Sequence, residues 1–228
     1  MKAIPTPSLN FDNRKSTIDM LILHYTDMLS AEEALNRLKD PKSKVSAHYL
    51  ISKEGFIYSL VAEEKRAWHA GISFWQERTS LNHNSIGIEL DNPGHSNGYQ
   101  PFPPVQMNAL IDLIKDIRTR WDIPDHYILG HSDIAVDRKL DPGELFDWKF
   151  LANNKIGLWP EDKDWDDIEK RQAIELLKEI GYHFDDKNLN KAIMAFQQHF
   201  MPQALSGKLD KQTRSKIQSV HNVFCKNL

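Results

Sequence analysis

The stretch Gly130-His131-Ser132-Asp133-Ile134-Ala135-Val136-Asp137-Arg138-Lys139-Leu140-Asp141-Pro142-Gly143 decides how the rest of the chain is read. The apolar run Tyr127-Ile128-Leu129 leads into it and reads as a short buried strand. That strand is expected to end at Gly130, leaving His131 at its mouth. Asp141 follows ten positions later, and Pro142-Gly143 turns the backbone sharply behind it. An imidazole and a carboxylate on stiff backbone suit zinc, which takes His nitrogen and Asp oxygen at about 2.0–2.2 Å. A third ligand must come from elsewhere, and His24 is the residue the pattern offers. It ends the apolar strand Leu21-Ile22-Leu23-His24-Tyr25 as His131 ends its own, and adjacent strands bring two such mouths together. A lone histidine here is better explained as a polar residue at the edge of a core. Two strand ends and a turn-held Asp together point to metal.

Two histidines and one carboxylate leave the fourth position of a tetrahedral zinc open, the arrangement of catalytic rather than structural sites. One Zn2+ per chain is therefore the expected cofactor. Such an ion polarises a carbonyl and lowers the pKa of water towards about 7. Hydrolysis then needs a general base and a group that stabilises the developing oxyanion. Glu89 is the candidate base, because it interrupts the apolar strand Ile86-Gly87-Ile88-Glu89-Leu90. A solvent-facing position on an edge strand explains that carboxylate equally well. Lys139 would bring a cation beside the metal, unless it is an ordinary solvated turn lysine.

The chain has 228 residues, enough for one full domain and a small one. Its net charge of −3, with both signs mixed, argues against a nucleic-acid surface. No apolar stretch is long enough to cross a bilayer. The single cysteine, Cys225, cannot form an internal disulfide. Met1-Lys2-Ala3-Ile4-Pro5 is too short and polar for a signal peptide. Residues through Asn13 are rich in Pro and Asn and are expected to lie extended over the surface. Strands are expected over residues 18–25, 47–51, 56–61 and 85–90, with Glu54-Gly55 turning a hairpin. Ser30 and Glu33 read as the capping box of a short helix. Residues 105–121 carry apolar side chains at helical spacing.

Residues 1–160 thus read as an α/β domain, a mixed central β-sheet flanked by helices. After Trp159-Pro160 no strand is evident, and residues 164–180, 187–201 and 210–224 read as three helices. They form a small three-helix domain over residues 161–228, within the size range of domains that fold alone. His83, His95 and His126, in or beside loops, read as surface residues.

Six motifs then occur in order over residues 15–160: Leu23-His24-Tyr25-Thr26, Ser46-Ala47-His48-Tyr49-Leu50-Ile51, Ala67-Trp68-His69-Ala70-Gly71, Asn84-Ser85-Ile86-Gly87-Ile88-Glu89, Gly130-His131-Ser132-Asp133-Ile134-Ala135 and Arg138-Lys139-Leu140-Asp141-Pro142-Gly143. As a set they resemble the zinc-dependent N-acetylmuramoyl-L-alanine amidases of the AmpD/AmiD type, which share the fold of the peptidoglycan recognition proteins. The resemblance implies zinc on His24, His131 and Asp141, Glu89 assisting the attacking water, and Lys139 stabilising the tetrahedral intermediate. These are the residues the chemistry selects by itself. The resemblance also implies that Trp68 and His69 line the substrate groove and that His48 lies near the metal. Packing alone would account for Trp68, and a hydrogen bond to a ligand from behind would account for His48.

The tail motifs Ala192-Ile193-Met194-Ala195-Phe196-Gln197 and Gly207-Lys208-Leu209-Asp210-Lys211-Gln212-Thr213 resemble the small peptidoglycan-binding domain that follows the catalytic domain in AmiD-like enzymes. A helical cap that only stabilises the first domain is the alternative. The implied reaction is hydrolysis of the amide between N-acetylmuramic acid, intact or in its 1,6-anhydro form, and L-alanine of the stem peptide. Peptidoglycan or muropeptide fragments are the expected partners, with no nucleic acid, and a monomer is expected. The tail and the lead-in Asn10-Phe11-Asp12-Asn13-Arg14 suggest the periplasm or cell envelope, with the cytoplasm as the alternative. A non-catalytic muropeptide-binding protein is the chief rival, and the complete ligand set argues against it. Ser132 lacks a Gly-x-Ser-x-Gly elbow, and no His-Glu-x-x-His helix is present.

Overall fold

Two six-residue apolar strands make the centre of the molecule, and every other element is arranged on their faces or edges. The structure is a computed structural model and describes residues 2–160 and 167–226. In chain order it runs β1 (Ile4–Pro5), β2 (Phe11–Asn13), β3 (Met20–Tyr25), α1 (Ala31–Lys39), β4 (Tyr49–Ile51), β5 (Ile57–Ser59), β6 (Lys65–Ala67), β7 (Phe74–Trp75), β8 (Arg78–Thr79), β9 (Ser85–Leu90), α2 (Pro104–Ile117), β10 (Ile128–Gly130), α3 (His131–Ile134), α4 (Trp148–Asn153), α5 (Lys170–Ile180), α6 (Leu189–Phe200) and α7 (Lys211–Cys225). The main sheet has the order β1-β5-β4-β9-β3-β10. Its pairs are parallel except for the β4–β5 hairpin, so it is the mixed, helix-flanked sheet expected from the sequence.

β3 and β9 are central and covered on both faces, which is why they read as nearly continuous apolar runs. On one face Leu21, Leu23, Ile86, Ile88 and Leu90 meet Met107, Leu110, Ile111, Ile114 and Ile117 of α2. Each such buried side chain contributes roughly 1.5–3 kcal/mol. On the other face Met20, Ile22 and Leu129 share one core with Leu177 and Ile180 of α5, Phe196 and Phe200 of α6, and Ile217, Val220 and Phe224 of α7. The C-terminal helices therefore pack on the sheet rather than only on one another. No helix among the described residues is long and apolar enough to cross a membrane.

The amino-terminal residues are extended, as expected, and are tied into the fold as two short strands. β1 pairs with β5 and β2 with β6. Asn10 is buried, and its Nδ2 donates to the carbonyls of Asp40 and Val45 at 2.9 and 2.8 Å. Arg14 donates to the carbonyls of Glu63, Asn82 and Ser85, each at 2.8 Å. Polar side chains rather than an apolar alternation anchor this segment, so periodicity did not reveal it. His126 corrects the expectation of a surface residue. It is buried and packs edge-on against Phe224, a partner nearly a hundred residues away in the chain.

The three tail helices lie close to where they are expected. The first begins only at Lys170, since residues 167–169 are not helical, while the expected start at 164 and the 160/161 boundary fall on residues 161–166, which lie outside the described residues. Asp210 caps α7 by accepting the Thr213 N–H at 2.9 Å. In the first domain the Ser30 hydroxyl accepts the Glu33 N–H at 3.2 Å, while Glu33 reaches back to Leu29 N–H.

The tail motif has a physical basis in Gln197, which is fully buried. Its Oε1 accepts the N–H groups of Ser206 and Gly207, both at 2.8 Å. Its Nε2 donates to Ser206 Oγ at 3.0 Å and Thr213 Oγ1 at 2.9 Å. One side chain thus ties α6 to the turn before α7, and Gly207 supplies the φ of 62° that the turn requires. Gln197→Ala leaves several of these groups unsatisfied and is expected to cost about 2–4 kcal/mol. Urea unfolding followed by circular dichroism measures this directly, and an unchanged midpoint would remove Gln197 from this role.

Candidate functional site

Register brings the first pair of site residues together. β3 and β9 pair in parallel with His24 opposite Glu89. Because side chains alternate along a strand, both share the face opposite α2. β10 pairs with β3 in the same direction and ends at Gly130, so His131 opens beside the end of the strand carrying His24. This is the crevice beyond the carboxyl ends of parallel strands, the usual ligand position in such sheets. The Ser132 N–H donates to the Asp141 carbonyl at 2.8 Å, which folds the intervening loop back on His131. The Asp141-Pro142 peptide is cis, and the Tyr99 hydroxyl donates to the Pro142 carbonyl at 2.5 Å.

His24 Nδ1, His131 Nδ1 and Asp141 Oδ2 stand 3.0 Å apart in all three pairings. Tetrahedral ligands at zinc distances would lie about 3.3 Å apart, so a small outward movement fits the set to that ion. All three side chains are buried. The tautomers follow from the outer partners. His131 Nε2–H donates to the Ala70 carbonyl at 3.1 Å, which leaves Nδ1 bare in the neutral ring. His24 Nε2–H donates to His69 Nδ1 at 3.0 Å. His69 Nε2–H donates in turn to Ser85 Oγ at 3.3 Å, and the Ser85 hydroxyl donates to the Leu81 carbonyl at 2.7 Å. This run of donors ends on a carbonyl and turns the bare Nδ1 of His24 towards Asp141.

The environment keeps these groups in metal-binding form. Burial, reinforced by the neighbouring His131, lowers the His24 pKa to about 4, so its ring is neutral near pH 7. Burial alone would raise the Asp141 carboxyl, but the imidazoles of His131 and His24 outweigh it and hold it well below the usual carboxylate range. Glu89 moves the other way. Burial, with the Asp141 charge adding to it and Lys139 opposing, pushes its carboxyl well above the usual value. Its Oε2 is sealed from solvent without a hydrogen-bond partner. β9 is central, so the edge-strand explanation of Glu89 does not apply.

A pocket of about 510 Å³ opens over this group, lined by His24, His131, Asp141, Glu89, Lys139, Trp68 and His69 among others. Seven of the eight site residues read from the sequence thus meet at one cavity. His48 does not. It is fully buried, accepts the Gly87 N–H on Nδ1 at 3.0 Å, and contacts His69 edge-on. His69 lies over Gly87, where a Cβ would come within 2.3 Å of its ring, so only glycine leaves room for it. The sequence reading assigned no role to Tyr25, Asp27, Arg37 or Arg138, which also line the pocket, or to His95, taken only as a surface residue. His95 meets the Tyr25 hydroxyl at 2.9 Å and Glu144 at 3.2 Å. Arg138 donates at 2.7 Å to the same Ala70 carbonyl that His131 uses. Of these, Arg138 and Tyr25 had a signal, their places in the Arg-Lys-Leu-Asp-Pro-Gly and Leu-His-Tyr-Thr motifs. The others sit in polar segments without periodicity.

Comparison with known proteins agrees with this geometry. Residues 14–144 match the family model described as N-acetylmuramoyl-L-alanine amidase. The chain is 37% identical to N-acetylmuramoyl-L-alanine amidase AmiD of Escherichia coli (strain K12), over 87% of this chain and 80% of that protein. It is 35% identical to 1,6-anhydro-N-acetylmuramyl-L-alanine amidase AmpD of Haemophilus influenzae, over 65% of this chain and 90% of that one. The solved structure of E. coli AmiD in complex with the substrate anhydro-N-acetylmuramic acid-L-Ala-D-gamma-Glu-L-Lys superposes with a TM-score of 0.82 at 36% identity, covering 90% of this chain and 89% of that chain. With its strand-end triad, its pocket and these matches, the chain belongs to the N-acetylmuramoyl-L-alanine amidase family.

Proposed function

We propose that this chain hydrolyses the amide between N-acetylmuramic acid, intact or 1,6-anhydro, and L-alanine of the peptidoglycan stem peptide. The observation that carries the reading is the buried His24–His131–Asp141 triad with Glu89 opposite His24 in one pocket. Its donor set of two imidazole nitrogens and one carboxylate oxygen matches catalytic zinc. Zinc held there would supply Lewis-acid polarisation of the scissile carbonyl and lower the pKa of water to about 7. Glu89 takes the proton of the attacking water and returns it to the departing L-alanine amine, so the stem peptide leaves as a free amine. The Lys139 ammonium lies against the oxyanion of the tetrahedral intermediate. His69 holds the His24 ring from behind, and Trp68 forms part of the groove wall.

Catalysis falls to residues 1–160 in this reading, with 161–228 as the peptidoglycan-binding-like part. The tail-motif residue Gln197 is spent on internal bonds, so contact with peptidoglycan would fall to the outer surface of the helices. A monomer is the proposed state. The periplasm or cell envelope is the proposed compartment, with the cytoplasm as the alternative.

Mass spectrometry of purified muropeptides is expected to reveal free stem peptide, lost on chelation and regained with zinc. Intact muropeptides from folded, zinc-loaded protein would instead leave the chain as a binder. Glu89→Gln is expected to lower kcat by roughly 10²–10⁴-fold with zinc content unchanged; a drop in zinc content would make Glu89 part of the metal site instead. His69→Ala removes the acceptor behind His24 and is expected to weaken zinc binding about 10–100-fold. Chelator competition measures that loss, and unaltered affinity would confine His69 to the groove.

A further inference from the structure

Helix α6 is tied to the segment 131–144 near both of its ends. At one end His199 Nδ1 lies 2.8 Å from Asp133 Oδ2. Near its N-terminal end the Lys191 ammonium donates to the Asp137 carbonyl at 3.0 Å. Beside His199, Gln198 Nε2 donates to Glu144 Oε2 at 3.4 Å. Positions 191 and 198 are two turns apart and share one face of the helix, with 199 beside them. Each tie lies within three residues of a proposed functional group: Asp133 follows His131, Asp137 precedes Lys139, and Glu144 follows Asp141.

Asp133 is the strongest of these ties. Its carboxylate is 1% exposed and has three partners: the His199 ring, the Gly130 N–H at 2.8 Å and the Tyr182 hydroxyl at 2.7 Å. Gly130 is the residue immediately before His131. His199 is itself buried and stacks on Trp148 with ring centroids 3.8 Å apart. One donor from α6, one from the turn after α5 and one from the end of β10 therefore converge on one buried carboxylate. Removing a donor leaves that carboxylate under-satisfied where water cannot replace it, and its remaining bond pulls on the backbone that carries His131.

We propose that α6 is a splint for the active-site segment, with His199, Tyr182 and Asp133 as positioning residues for His131, Lys139 and Asp141. This rests on the metal reading of His131 and Asp141. Loops of this kind are mobile by default, whereas ligand geometry must hold to within about 0.5 Å. The C-terminal helices thus serve the site of their own chain, whatever their outer surface binds. The family match ends at residue 144, so α6 lies wholly outside it and the match does not account for the role.

The test uses full-length protein and three variants. His199→Phe keeps the aromatic stack and removes the donor, His199→Gln keeps a donor, and Tyr182→Phe removes one hydroxyl. Zinc affinity is measured by chelator competition, and amide hydrogen exchange is followed across residues 131–144. His199→Phe is expected to bind zinc about tenfold more weakly, as loss of an outer partner of a metal site does. Exchange in 131–144 should quicken while the far β4–β5 hairpin stays protected. His199→Gln should recover most of both, and Tyr182→Phe should show the same effects in smaller measure, even if His199→Phe fails to fold. Folded variants with wild-type zinc affinity and unchanged exchange in 131–144 would overturn the proposal. A wild-type protein that binds no zinc would overturn the metal reading instead. The exchange arm would then decide the splint alone, supported by faster exchange in 131–144 and overturned by none.

Discussion

The site depends on one constraint, the parallel registration of β9, β3 and β10. Successive side chains on a strand face opposite ways, so a slip of one residue between β3 and β9 would send Glu89 to the α2 face and an isoleucine to the pocket. The register is enforced on that other face, where Leu21, Leu23, Ile86, Ile88 and Leu90 are all buried against one helix. Polar function on one side of the sheet is thus secured by apolar packing on the other. His24 and Glu89 can occupy a central position because their strands are held from behind.

Electrostatics then divides the labour between two carboxyls in one pocket. Asp141 faces two imidazoles and stays ionised, whereas Glu89 is shifted upward by burial and by the charge of Asp141. Two carboxyls pushed apart in this way are suited to different tasks, one as ligand and one as proton carrier. The histidines are arranged with similar economy. One ring nitrogen of each faces the proposed metal, and the other donates outward, to Ala70 for His131 and to His69 for His24. The Ala70 carbonyl also receives Arg138, so the loop bearing Trp68 and His69 is clamped to the segment bearing Asp141.

The C-terminal helices are joined to this arrangement by both kinds of force. Their apolar faces close the second face of the sheet, and their polar side chains reach the loop that follows β10. Their sequence motif is largely a folding motif: Phe196 is core, Gln197 ties a turn and Asp210 caps a helix. Sequence similarity in this region therefore reports how the helices fold more directly than what they touch.

Much of residues 1–160 is legible in the sequence because its elements are local and periodic. The apolar runs in 20–25 and 85–90, the helical spacing in 105–121 and the hairpin at Glu54-Gly55 each announce themselves within a few residues. So does the placing of His24 and His131 at strand ends and of Asp141 at a turn. These patterns determined the fold class, the candidate ligands and the three tail helices. What they left open were the long-range relations. The amino-terminal strands are held by side chains such as Asn10 and Arg14, whose partners are distant carbonyls. His126 is buried by Phe224, and His48 is kept from the pocket by the strands and loops that enclose it. His69 becomes a partner of His24 only because Gly87 opens a space above β9. The Asp133 cluster joins residues far apart in the chain. A periodic pattern records which face of an element is apolar, but a buried polar contact depends on which other element arrives there, and that is decided only when the chain is folded.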